Sequence, residues 1–141
     1  MNTAAIQSLA DWPLIFLALR IVLTTLFWSD VFLGIAKFND FAGAVQRAGL
    51  PYPHFVAAAA IVFLSVTSLL VITNFNQWGW IAASALVVFT LLTIPYGHAF
   101  WTFPQPRRAQ ELHFVLEHIS VVGGLLLLIA VFLSNAGVSP V

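Results

Sequence analysis

The chain has 141 residues, of which 61% are hydrophobic and 7% are charged, and its formal net charge at pH 7 is zero. Soluble domains usually carry about 25% charged residues, so this composition excludes an ordinary water-soluble fold and predicts an integral membrane protein in a lipid bilayer. A net charge of zero gives no electrostatic basis for binding nucleic acid. The chain contains no cysteine, which excludes disulfides and thiolate metal sites.

Four apolar runs follow one another along the chain, at about residues 13–36, 55–73, 78–96 and 112–134. Each is close to the roughly 20 residues that a helix needs to cross the hydrocarbon core. The runs lack the strict alternation of barrel strands, and backbone groups in lipid must be hydrogen-bonded within the segment. The sequence therefore predicts an all-α membrane protein, a four-transmembrane-helix bundle forming a single domain over residues 1–141.

The connections between these runs divide the basic residues unevenly. The first connection, residues 37–54, is long enough for a short amphipathic helix at the membrane interface, and the second is the tight turn "NFNQ". The first and third connections contain Lys37, Arg47, Arg107 and Arg108. Because cytoplasmic loops are enriched in Lys and Arg, we expect both connections in the cytoplasm and both termini on the periplasmic side of a bacterial inner membrane.

Ionisable residues also occur inside the apolar runs, where a charge costs at least about 2.5 kcal/mol and usually serves a function. Arg20 and Asp30 lie in the first run, and Glu117 and His118 lie in the fourth. At the helical rise, Asp30 is about 10 Å and Glu117 about 8 Å inside the same membrane boundary. These positions predict a polar layer near the cytoplasmic face.

The predicted polar cluster draws residues from the first, third and fourth runs. Its members are Asp30, His98, His113, Glu117 and His118. Histidine and carboxylate ligands together suit zinc or iron, and two histidines suit haem. Because the chain lacks an H-E-x-x-H motif, we assign no metal. The first interpretation is a hydrogen-bonded helix junction. The second is a quinone site, in which imidazole and carboxylate bind and protonate a quinone carbonyl.

The sequence also predicts the orientation and contacts of single residues in these runs. Glu117 is expected to point into the bundle, toward the first or third membrane helix, because lipid exposure of a carboxylate is costly. Gly123 and Gly124 are expected to let a neighbouring helix approach closely. Arg20 is expected to bind a helix-end carbonyl, a partner carboxylate or a lipid phosphate. It should not reach Asp30, which is about 15 Å further along the same helix.

Several segments, in this order, resemble a known family: "GIAKFNDFAGAVQRAGLPYP", "LVVFTLLTIPYGHAFW" and "FVLEHISVVGGLLLL". They are similar to the DoxX family of small four-helix bacterial inner-membrane proteins, from about residue 18 to 130. Many members have a glutamate in the second membrane helix and Lys-Asn before the paired glycines of the fourth. Here the second run has no ionisable residue, and Glu117-His118 stands before the glycines, as in a subgroup with Glu-His. An ion pair between those two helices therefore cannot form in this chain.

The resemblance implies a link to membrane redox chemistry, since the family takes its name from a subunit of a terminal quinol oxidase and thiosulfate:quinone oxidoreductase system. We therefore expect an accessory or scaffolding subunit of a membrane redox or respiratory assembly, bordering a quinone site. Its partners would be other membrane protein subunits, and it would not be catalytic on its own. The alternatives are a stand-alone quinone- or metal-dependent oxidoreductase and a small transporter or proton channel.

Overall fold

The computed structural model describes residues 13–136, and over this range the chain forms helices and no strand. The predicted domain also includes residues 1–12 and 137–141, which lie outside the described residues. The α-helices are α1 (Pro13–Ala36), α2 (Phe38–Arg47), α3 (Pro53–Thr73), α4 (Gly79–Gly97) and α5 (Arg107–Ala136). Short 3-10 turns follow α3 at Phe75–Gln77 and α4 at Phe100–Thr102. The predicted all-α class is confirmed.

Four of these helices, α1, α3, α4 and α5, are long and apolar enough to cross a membrane, as predicted. The predicted limits of α1, α3 and α4 agree with the structure to within two residues. The fourth predicted run was too short at its start, because α5 already begins at Arg107. Its first turns are polar, so the hydropathy signal begins only after the helix has started.

The long helices pack in chain order, α1 against α3, α3 against α4 and α4 against α5. The contact between α1 and α5 is much smaller. The main core is apolar and includes Phe27, Leu64, Leu86 and Leu125. Many large apolar side chains point outward, as expected for helices whose outer surface faces lipid.

The amphipathic helix expected between the first two spans is α2. Its buried residues Ala42 and Val45 pack with Ala57 of α3 in a second, smaller cluster. Phe41 also lies beside Gly34 near the end of α1. The helix therefore lies against α1 and α3 at one end of the bundle. We call this the basic end, since Lys37, Arg47, Arg107 and Arg108 all belong to the elements that meet there.

The opposite end is closed by the turn between α3 and α4. Asn74 adopts a left-handed conformation with φ 49°, and its side-chain oxygen accepts a hydrogen bond from the Gly79 backbone N–H at 2.9 Å. A Cβ atom at Gly79 would lie 2.5 Å from that oxygen and 2.8 Å from the Phe132 ring. Only glycine therefore lets α4 begin this close to Asn74 and α5.

Candidate functional site

The side chain of His98 is positioned where α4 ends. Its backbone N–H still bonds to the Ile94 carbonyl at 3.0 Å, but its φ of −127° leaves the helix. The chain then turns through Phe100–Thr102 and returns as α5. This return places the imidazole of His98 beside the first three turns of α5.

Glu111 is the main partner of His98. Its Oε2 is 3.0 Å from His98 Nδ1, and its Oε1 accepts a hydrogen bond from Arg107 Nε at 3.3 Å. The Glu111 side chain is only 11% exposed, whereas that of His98 is 26% exposed. The carboxylate is therefore bonded on both oxygens and holds the end of α4 against the start of α5.

Glu111 is absent from the predicted cluster because the fourth apolar run begins only after it, at about residue 112. The signal was in the sequence: Arg107 and Glu111 have the i,i+4 spacing of a helical ion pair, and Pro106 directly precedes them. A helix that begins at Arg107 places Glu111 one turn after its start, at the end of the bundle where His98 lies.

His118 is the second residue that the fold brings to His98. The two ring centres are 4.8 Å apart, and the planes meet at 59°. His118 Nδ1 lies 2.7 Å from the carbonyl oxygen of Phe114. A carbonyl only accepts, so His118 carries its hydrogen on Nδ1, and the same reasoning places the His98 hydrogen on the Nδ1 that faces the Glu111 carboxylate. In the neutral form of His98 or His118, Nε2 is therefore the ring nitrogen that can accept a hydrogen bond or a proton.

Asp30 lies on the exposed side of α1. It also lines a pocket of 260 Å³ at the basic end, together with Leu33, Gly34, Lys37, Asp40 and Phe41. The pocket connects the carboxylate of Asp30 to the polar groups at the junction of α1 and α2. Asp30 therefore lies at the junction of α1 and α2.

His113 and Glu117 form a separate pair on α5. His113 Nε2 is 3.3 Å from Glu117 Oε1, and the two side chains are 73% and 49% exposed. The expectation that Glu117 points into the bundle is wrong. Glu117 lies on the outward side of α5, where its partner is one turn earlier on the same helix. The predicted cluster is thus divided into an inner group, in which His98 and His118 lie beside Glu111, an outer pair of His113 and Glu117, and Asp30 on the exposed side of α1.

No group of three histidine or acidic side chains within residues 13–136 is arranged to hold a metal ion. The inner group instead offers two imidazole bases and a carboxylate, which can accept, donate and pass protons.

Arg20 lies apart from this site, near the opposite end of α1. Its guanidinium lies 4.9 Å from the centre of the Phe16 ring and 6.0 Å from that of Phe132. One nitrogen makes a long 3.5 Å hydrogen bond to the carbonyl of Val71, close to the end of α3. The expected helix-end carbonyl contact is therefore present. Arg20 and Asp30 form no ion pair in the described part of the chain, and α1 continues unbroken between them.

Four apolar helices of spanning length, with their large side chains turned outward, define a polytopic α-helical integral membrane protein. The sequence model of the DoxX family matches residues 15–99, which is more than half of the chain, and the protein belongs to that family. The matched range runs from the third residue of α1 to the end of α4 and includes His98, whereas Glu111 and His118 on α5 lie beyond it. Neither the curated proteins nor the solved structures include a significant match to this chain.

Proposed function

We propose that this protein is an accessory subunit of a membrane redox or respiratory assembly. A partner subunit would cover the ionisable side chains that the isolated chain leaves exposed on its spanning helices. The supporting observation is the exposure of Asp30, His113 and Glu117 within helices that are otherwise apolar.

The depth of Glu117 makes this exposure costly. It lies five residues into the apolar run that begins at Leu112, about 8 Å inside the membrane boundary. A carboxylate facing lipid at such depth is unfavourable. Pairing with His113 on the same helix still leaves the two side chains 73% and 49% exposed. A second membrane protein that supplies hydrogen bonds or opposite charge would remove this cost.

The redox assignment depends on the family, in which some members are associated with quinone-linked complexes. The inner group supports it chemically, since the imidazoles of His98 and His118 lie side by side and can bind and protonate a quinone carbonyl. We propose that the partner's quinone site borders this group.

We further propose that the protein resides in a bacterial inner membrane with its basic end in the cytoplasm. Four of the five Lys and Arg residues belong to this end. The turn between α3 and α4, at the opposite end, has none. This asymmetry follows the distribution of basic residues in inner-membrane proteins.

The test is purification of the tagged, full-length protein from its native membranes in mild detergent, followed by mass spectrometry, an optical spectrum and quinone extraction. We expect a stoichiometric membrane partner that carries a redox cofactor. A chain that purifies alone, without partner or bound quinone, would contradict the proposal. A chain that purifies alone with its own quinone would favour the stand-alone enzyme.

A further inference from the structure

Arg20 carries a positive charge that no acidic side chain of residues 13–136 balances. Its Nε is buried and has no hydrogen-bond partner among the described residues. Within this range the guanidinium contacts the Val71 carbonyl, at 3.5 Å from Nη1, and the rings of Phe16 and Phe132. A cation in apolar surroundings is costly unless a counter-charge is close. The described part of the protein therefore holds the guanidinium in place without neutralising it.

The guanidinium lies near the end of the bundle opposite the basic end. Val71 is two residues before the end of α3, about 3 Å along the helix, and Phe132 is four residues before the end of α5, about 6 Å. The backbone of Arg20 is seven residues into α1, but its side chain extends toward Phe16, one turn nearer the helix start. A long basic side chain that extends in this way places its charge near the lipid headgroups.

We infer that Arg20 binds a phosphate group, supplied by a phospholipid of the leaflet at this end of the bundle. Guanidinium N–H groups form paired hydrogen bonds with phosphate oxygens, and arginine is the side chain best suited to this contact. The Arg20 side chain is partly exposed but its Nε is buried, so the phosphate approaches at the Nη nitrogens. The phosphate supplies the negative charge that the described residues lack.

Three helices hold the guanidinium in position for this ligand. Phe16 belongs to α1, the Val71 carbonyl to α3 and Phe132 to α5. The two rings meet edge to face, with centres 6.1 Å apart and planes at 74°. A phosphate bound to Arg20 is thereby connected to the place where α1 meets α3 and α5. Because the direct contact between α1 and α5 is small, phospholipid binding should stabilise the bundle measurably.

A free phosphate ion offers the same oxygen atoms as a lipid headgroup. The lipid is the better ligand here, because the guanidinium lies between apolar rings on helices whose outer surfaces face the bilayer. The site is at the end of the bundle opposite His98 and requires neither the proposed partner nor a quinone.

The test is thermal unfolding of the full-length protein in a maltoside detergent, which contains no phosphate. Phosphatidic acid in large excess over its Kd should raise the Tm of the parent by about 5 °C. Diacylglycerol with the same acyl chains lacks only the phosphate and should leave the Tm unchanged. Arg20→Gln should lose the shift. Arg108→Gln, which removes an exposed arginine at the basic end, is the matched control and should keep it.

An equal effect of the two lipids on the parent, or a full shift in Arg20→Gln, would overturn the inference. If Arg20→Gln does not fold, Arg20→Lys replaces it. This variant keeps the charge without the paired N–H groups and should lose at least half of the shift, and a full shift would again overturn the site.

Two further measurements identify the source of the negative charge. Inorganic phosphate that stabilises the parent as much as phosphatidic acid would overturn the assignment to a lipid. Asp11 is an acidic residue outside the described range. A parent without a lipid shift that gains one on Asp11→Asn would identify this carboxylate as the counter-charge, and would overturn the inference.

Discussion

At the scale of single residues, the ionisable side chains of the spanning helices are stabilised in three different ways. Arg20 lies against two aromatic rings, Glu111 is bonded on both carboxylate oxygens, and Glu117 is paired only with a neighbour on its own helix. Burial separates the two glutamates: Glu111 joins two helices, whereas Glu117 faces outward. Their replacement should therefore have different effects.

Glu111→Ala is expected to destabilise the protein by about 1–3 kcal/mol. The change removes a buried acceptor and leaves the Nδ1 hydrogen of His98 without its partner. The measurement is thermal or denaturant unfolding in detergent. Gln110→Ala, an exposed position one residue earlier, is the matched control and should stay close to the parent. Equal stability of both variants would show that the His98 contact contributes nothing to the fold.

Glu117→Leu is expected to leave the stability of the isolated protein within about 0.5 kcal/mol of the parent, because exposed i,i+4 pairs contribute little. Recovery of the native partner should fall sharply, since the partner would meet an apolar side chain in place of the carboxylate. Glu117→Gln keeps a hydrogen-bonding group and should retain more of the partner. Co-purification followed by mass spectrometry measures this difference, and an unchanged partner yield with Glu117→Leu would count against the proposed interface.

At the scale of helices, the small contact between α1 and α5 depends on only one of the two consecutive glycines of α5, Gly123 and Gly124. A Cβ atom at Gly124 would lie 2.8 Å from Leu23 of α1, whereas a Cβ atom at Gly123 would have nothing within 4 Å. Gly124 therefore allows the close approach, and Gly123 faces open space. The two neighbouring positions provide a controlled comparison within one helix.

Gly124→Val should destabilise the bundle relative to Gly123→Val by about 1–3 kcal/mol, the usual cost of overpacking. Both variants exchange glycine for the same β-branched residue in the same helix, so the change in helix propensity cancels. Thermal unfolding of the two proteins in the same detergent gives the comparison. Matching transition temperatures would mean that α1 moves away from α5 without cost.

At the scale of the whole molecule, the basic end should face the cytoplasm. Because the chain has no cysteine, single cysteines can report its orientation. A Phe75→Cys variant should react with a membrane-impermeant maleimide added to intact cells, whereas Thr102→Cys should react only after the membrane is opened. Both original side chains are exposed and lie in turns at opposite ends of the bundle. The reverse labelling pattern would place the basic end outside.

The sequence alone determined the architecture. Four apolar runs of spanning length set the number of helices, the 37–54 segment predicted α2, and the position of the basic residues distinguished the two ends. These features depend on hydropathy and length, which are local properties of the chain. They could therefore be predicted without knowing how the helices pack.

Only the tertiary structure decided which polar side chains meet. In lipid, both the packed and the outward surfaces of a helix are apolar, so hydropathy does not fix the rotation of α5 about its axis. That rotation, together with the start of α5 at Arg107, brings Glu111 and His118 to His98 and leaves Glu117 outside. The sequence therefore indicated which ionisable residues belong near the basic end, but the contacts between them depend on packing between helices distant in the chain.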